Sequence, residues 1–364
     1  GLLFALLFAF GLKILSNNLK VNISIVFFIV GISIYGFEAY LEFNKKTEID
    51  IKAKYAKQLG VPFDKRTKLE VRNDLREKGI EALPNMHGYY WTEENGFTTN
   101  KGTIYPLGTV SNSVTILHNQ SGFYPIVEMD EYGHHNPKGL RVENNVDIVL
   151  TGDSFAEGYA VNSNENITAL LRQFDFNAIS LGKGGNGPLL ELASLIEYAK
   201  PLKPKIVLWL YFGNDLHNLR FEMQSSILRK YLNDDNYSQD LISRQEEIDE
   251  VLMNYVRKVW KGEEERAKAE NKKRERLSSN HVIKILKLYN LRTINNLIPT
   301  PTHPKSRPWD HESILPIFKD ILQKSNQMIS EWNGKMYFVY MPAYGRYSTD
   351  YALRKGAGIV IKNR

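Results

Sequence analysis

Val146-Asp147-Ile148-Val149-Leu150-Thr151-Gly152-Asp153-Ser154-Phe155 decides how this chain reads. An apolar, β-branched run ends abruptly in Gly-Asp-Ser. Soon afterwards Ile167, Leu170, Leu171 and Phe174 recur at i, i+3, i+4 and i+7, the spacing of an amphipathic helix. A strand that stops at a small turn before a helix presents a side chain at the carboxyl end of a sheet. Open α/β folds build their sites there. Ser154 is the side chain so presented.

The strand-then-glycine pattern recurs twice. Asn177–Leu181 runs into Gly182-Lys183-Gly184-Gly185-Asn186-Gly187-Pro188, and Lys205–Tyr211 runs into Phe212-Gly213-Asn214-Asp215. Between them, Leu189, Leu192, Ala193, Ile196 and Ala199 form one apolar stripe of a helix expected over Pro188–Lys200. Pro188 suits its first turn. A further strand is expected over Lys335–Met341. Strands alternating with helices imply a parallel sheet with right-handed crossovers.

Ester hydrolysis or transfer needs a nucleophile, a base to take its proton, and donors for the oxyanion. Ser154 can be the nucleophile, favoured by the positive end of the helix it opens. It can equally be a capping serine in a turn. The glycine block lets backbone N–H groups approach a ligand closely, so it can serve an oxyanion, a phosphate or simply a tight turn. Gly182, Gly184 and Gly187 formally match Gly-x-Gly-x-x-Gly. No acidic residue closes the next strand about 20 residues on, however, and Pro188 removes one N–H. Asn214 brings two amide donors; the alternative there is an Asx turn.

Together, the three blocks at successive strand ends, about 30 residues apart, resemble the SGNH (GDSL-type) hydrolase family. The resemblance covers about residues 145–345. It implies a flavodoxin-like three-layer α/β/α sandwich with a parallel sheet. Ser154 would be the nucleophile, Gly185 (or Gly184, one residue earlier) and Asn214 the oxyanion donors, with Asp153 and Asp215 in support. Members hydrolyse or transfer acyl groups, often acetyl on sugars. The family's Asp-x-x-His after the last strand has no counterpart, because none of the eight histidines follows His311. That block is expected beyond Arg364, with His134, His135 and His217 as substitutes and Asp310-His311 a weaker one. Met129–Pro137 is similar to an Asp-x-x-Gly-x-x-Asn-Pro stretch of membrane-anchored members linked to cell-surface polysaccharide modification.

The resemblance therefore implies a membrane-anchored serine esterase or O-acyltransferase in a bacterial inner membrane. Its substrate would be acyl (acetyl) esters of a carbohydrate or cell-surface glycan. One rival is a catalytically inactive SGNH-fold glycan-binding module in a membrane assembly. The other is a flavodoxin-like nucleotide or phosphate binder using Gly182–Gly187.

The rest of the chain bounds these readings. Its 364 residues allow one large domain with attachments, or two domains. The absence of cysteine excludes disulfides, thiolate catalysis and cysteine-ligated metals. The net charge of +6 sits in helical Lys/Arg runs that read as solvated faces rather than a nucleic-acid surface. No cofactor or metal is implied.

Residues 1–42 hold two apolar runs, Gly1–Leu15 and Val21–Gly36, around the polar turn Ser16–Lys20. A transmembrane helical hairpin is expected, and lipid is its partner. The chain opens inside an apolar run, so it reads as a piece whose start is missing. Lys45, Lys46, Lys52, Lys54 and Lys57 would place the large domain in the cytoplasm. That rule weakens for long domains, and the sequence fixes no side.

Residues 43–83 read as a charged helical connector. Residues 84–144, rich in Gly, Pro and aromatics, read as an accessory β segment. The hydrolase-like domain is 145–364, with a helical insert at 216–330. Within the insert, Gly262–Arg276 reads as a solvated helix or coiled-coil-like arm. Pro299, Pro301, Pro304 and Pro308 precede a last helix over Ser313–Trp332, capped by Ser313.

Overall fold

The computed structural model describes residues 16–43, 48–142, 145–279 and 311–343. The chain forms two compact units, residues 1–52 with 265–307, and residues 53–264 with 308–364.

In the first unit, helix α1 spans Asn17–Phe43. Val21, Ile25, Phe28, Ile29 and Ile32 are all exposed on it. Its stretch Asn17–Leu41 is long and apolar enough to cross a membrane. Those 25 residues rise about 37 Å, against about 30 Å of hydrocarbon. The polar turn expected at Ser16–Lys20 is helical from Asn17 onward. No glycine or proline interrupts it, and Leu19 and Lys20 are good helix formers. The first arm of the expected hairpin, 1–15, lies outside the described residues.

The charged stretch that follows is broken rather than continuous. Helix α2 (Glu48–Gln58) stops before Gly60 and Pro62, and α3 (Lys68–Glu77) begins afresh. A capping box starts α3. The Thr67 hydroxyl accepts from the Glu70 N–H at 3.2 Å, and the Glu70 carboxylate accepts from the Thr67 N–H at 2.7 Å.

In the second unit, the accessory stretch holds β1 (Ala82–Pro84), β2 (Phe97–Thr99), β3 (Gly102–Ile104), β4 (Val114–Ile116) and β5 (Ile126–Glu128). Strand β4 lies between β1, to which it is parallel, and β5, to which it is antiparallel; β2 and β3 form a hairpin. After β1 the chain turns through Asn85 and His87 into a 3₁₀ helix, Gly88–Trp91.

The main sheet holds β6 (Ile148–Thr151), β7 (Ala178–Ser180), β8 (Ile206–Phe212) and β9 (Lys335–Met341). Its order is β7-β6-β8-β9 and every neighbouring pair is parallel. Alternate residues point to opposite faces, and the packing shows it. Val149, Ile179, Val207 and Trp209 join one apolar core, while Leu150 and Leu210 join Ala156 in another. Packing on both faces explains why β6, β7 and β8 read as unbroken apolar runs, whereas Tyr337, Phe338 and Tyr340 of the edge strand β9 are exposed. Trp91, Ile104, Tyr105 and Ile116 of the accessory stretch belong to the first of these cores, so both β layers share it.

Helices α4 (Ser154–Glu157) and α5 (Ile167–Arg172) follow β6. Helix α6 (Pro188–Ser194) ends sooner than its apolar stripe suggested, passing through a π turn at Leu195–Ala199 and a 3₁₀ turn at Lys200–Leu202. Pro201 cannot continue an α-helix. The insert carries α7 (Asp215–Glu222), α8 (Ser226–Asn233), α9 (Gln245–Ser279) and α10 (His311–Ser330). Ile248, Leu252, Val256 and Trp260 are buried at every fourth position of α9, which anchors that helix before its Lys/Glu/Arg-rich end. Helix α10 starts at His311, so Ser313 lies inside it rather than at its cap. The prolines expected to precede it lie outside the described residues.

Candidate active site

Three loops at the carboxyl ends of β6, β7 and β8 meet. Ser154, Gly184, Gly185 and Asn214 line one cleft of about 520 Å³, with His87, Tyr89, Tyr159, His217 and Phe221 among its walls. The sequence singled out Ser154, Gly185 and Asn214 from separate strand ends, and the fold brings all three together.

Each loop has a local reason for its shape. Asp153, not Ser154, caps α4; its Oδ1 accepts the Phe155 N–H at 3.0 Å. That leaves the Ser154 side chain free of the capping task. Asp153 Oδ2 accepts the Ser154 hydroxyl at 3.5 Å and an Asn214 amide hydrogen at 3.4 Å, long contacts that join the first and third loops. Burial raises the Asp153 carboxyl above its ordinary range, against the bonds from Phe155, Asn214 and Ser154. Asn214 makes no capping bond to α7, so the Asx-turn alternative does not describe it. Asp215 makes the local turn instead, its Oδ2 accepting the Phe212 N–H at 2.8 Å.

The glycine loop is pressed against its surroundings. A Cβ on Gly182 would sit 2.4 Å from the Ala156 side chain of α4. Gly185 has φ +77°, and a Cβ there would sit 2.4 Å from the Tyr89 ring. Only glycine takes that backbone conformation without strain. Among the described residues, no protein acceptor takes the backbone N–H of Ser154 or of Gly185. Those two donors, on residues that line the cleft, remain unengaged.

The phosphate-cradling use of this loop meets an obstacle. The Glu222 carboxylate already accepts the N–H groups of Gly187, Leu189 (2.9 Å) and Leu190 (3.4 Å) at the start of α6. An anion at that helix end would meet a side chain of its own kind.

The histidines separate clearly. His134 is fully buried, with its ring edge-on to Tyr198, and does not line the cleft. His135 is a tether, with Nδ1 2.9 Å from the Glu157 carbonyl and Nε2 3.0 Å from the Ser163 hydroxyl. His217 lines the cleft from α7, edge-on to Phe221, and burial and then Arg220 push its pKa down. Asp310 lies outside the described residues, and His311 is the first residue of α10.

Sequence reading missed the accessory wall. His87, stacked on Tyr89 and edge-on to Tyr90, comes from the turn after β1. Burial drives its pKa down to about 3, so the ring is neutral near pH 7. The reading also missed Glu157 and Lys183, whose side chains form a fully buried ion pair at 2.6 Å. A lysine among glycines was the available signal, because loop lysines ordinarily face water. The Met129–Pro137 stretch is an internal brace. Asp130 Oδ2 accepts from Arg141 and from the Asn136 amide, and Asn136 bonds the Ser180 backbone N–H at 2.7 Å and carbonyl at 2.9 Å.

Compared with known proteins, the chain matches no family model, no curated protein and no solved structure.

Proposed function

We propose that this chain is a membrane-anchored serine esterase or O-acyltransferase of the SGNH type, acting on acyl esters of a carbohydrate. The observation that carries the reading is the meeting of Ser154, Gly185 and Asn214 in one cleft, with two backbone N–H groups unengaged. The Ser154 hydroxyl attacks an ester carbonyl, and its proton passes to a base. The oxyanion is held by the N–H groups of Ser154 and Gly185 and by the Asn214 amide, and the alcohol leaves with a proton. The acyl group then passes to water or to a sugar hydroxyl.

The flavodoxin-like part of the proposal is supported by strand order. Numbered along the chain, the parallel strands run 2-1-3-4, matching the start of the 2-1-3-4-5 order of that fold. Aromatic walls at Tyr89, Tyr159 and Phe221 suit a sugar ring. The membrane part rests on α1, and its test is retention by membranes in alkaline carbonate with release by detergent.

A second reading is a glycan-binding module of the same fold. It is favoured by the one hydrogen bond of the Ser154 hydroxyl among the described residues, which goes to Asp153 and not to a histidine. One experiment separates the two. The full chain in detergent is treated with a fluorophosphonate and with acetylated oligosaccharides. Labelling and ester loss that vanish in Ser154→Ala support the enzyme. Glycan binding that persists in Ser154→Ala, with no labelling of the parent chain, supports the module.

A further inference from the structure

Three chain segments converge on one buried ion pair. Glu157 stands three residues after Ser154, at the end of α4. Lys183 stands two residues before Gly185, and Asn85 directly follows β1 in the accessory stretch. The Lys183 ammonium donates to Glu157 Oε1 at 2.6 Å and to Asn85 Oδ1 at 2.8 Å, while the Asn85 amide donates to Glu157 Oε1 at 2.8 Å. Glu157 Oε2 accepts the Gly184 N–H at 2.7 Å. Glu157 and Lys183 have no exposed side-chain surface, and Asn85 is buried with them.

A charge pair taken wholly out of water is an expensive way to gain stability, since apolar residues of similar size often do as well. What it supplies here is direction. One carboxylate grips both the lysine and the backbone N–H next to Gly185, from the helix that Ser154 opens.

We infer that Glu157 and Lys183 are positioning residues that lock the glycine loop to the Ser154 helix and hold the Gly185 N–H in register with Ser154. This rests on the proposed acyl transfer for its consequence, but the lock itself is testable without it. Neither residue touches the cleft, so neither is a catalytic residue.

Two double variants of the full chain decide it. Glu157→Gln with Lys183→Met removes both charges but keeps an oxygen for the Gly184 N–H. Glu157→Ala with Lys183→Met removes both charges and that oxygen. Both are checked for folding by thermal melting. Hydrogen exchange of the peptide spanning 182–187 is then compared, together with the rate of fluorophosphonate labelling. The lock predicts protection kept in the glutamine variant and lost in the alanine variant. A folded pair with equal exchange overturns it. Where the parent labels, the alanine variant should label about a hundredfold more slowly, the cost of one misplaced oxyanion donor. The glutamine variant should recover most of the rate, and equal rates in the two variants overturn the catalytic consequence. A parent that does not label at all defeats the acyl-transfer reading alone, and exchange still decides the lock.

Discussion

Lys183→Met is the sharpest probe of the site's electrostatics. Burial alone would raise the Glu157 carboxyl; the Lys183 ammonium, His87 and the Asn85 bond reverse this and hold it at about 2, below its ordinary 4.5. At about 1.4 kcal/mol per pH unit, that depression is worth about 3 kcal/mol to the folded state. The same range follows from the cost of breaking a buried pair by removing one partner, about 3–5 kcal/mol. The sign is fixed. A depressed carboxylate stabilises fully above its unfolded value of 4.5 and loses that contribution as pH falls through about 2. Without Lys183, the largest opposition to burial is gone, and Glu157 takes up a proton in the folded state. The stability gap between variant and parent should therefore be about 3–5 kcal/mol at pH 7 and should close as the pH approaches 2. The assay is denaturant unfolding of the full chain in detergent at several pH values, followed by tryptophan fluorescence; Trp91 and Trp209 report from the core. A gap below about 1 kcal/mol at pH 7, or one independent of pH, refutes the account.

Three further outcomes follow from the same geometry. Asn214→Ala should slow fluorophosphonate labelling of Ser154 by about a hundred- to a thousandfold with little change in melting temperature, because it removes a donor from the cleft. Gly185→Ala forces an L side chain into a left-handed conformation, at about 1–2 kcal/mol, and into the Tyr89 ring. Adding Tyr89→Ala should recover the steric part of that loss but not the backbone part, as unfolding measurements on both variants would show. Asp215→Asn keeps an acceptor for the Phe212 N–H while removing a carboxyl that burial, then Asp153 and Glu222, push well above its ordinary 3.8. Such a group costs stability increasingly as pH rises past 3.8, so the variant's advantage should grow with pH in unfolding titrations.

Strands β6, β7 and β8 were legible because strands buried on both faces must be apolar throughout, and short glycine turns punctuate them. β9 was read to the residue, since Lys335 and Met341 bound a run that continuously matches β8. β6 begins two residues later than the apolar run suggests, at Ile148, and β7 is one residue shorter at each end, at Ala178–Ser180. The cleft residues Ser154, Gly185 and Asn214 were legible because each sits where a strand ends. His87 and Tyr89 were not, because they reach the cleft across a shared core from a sheet distant in sequence, and no local pattern encodes that. Glu157 was hidden for a different reason. Within Phe155-Ala156-Glu157-Gly158 it reads as a solvated helix residue, and only the lysine far along the chain makes it a buried one.

The acids behind the cleft give the site its electrical character. Glu191, Asp215 and Glu222 are buried with Asp153 near the ends of β6 and β8, and burial raises all four above their ordinary range. Glu222 is pushed to about 7 even though it accepts three backbone N–H groups. Ionised together, these carboxyls would oppose any negative charge developing at Ser154. Protonated, they occupy the same space without a field. Glu157 takes the opposite state, ionised, but its charge is cancelled at 2.6 Å by Lys183. The cleft is thus backed by acids whose ionisation burial opposes and by one whose charge Lys183 pairs. For the proposed acyl transfer, the dipoles of the Ser154 and Gly185 N–H groups and of the Asn214 amide supply the favourable field an oxyanion would meet.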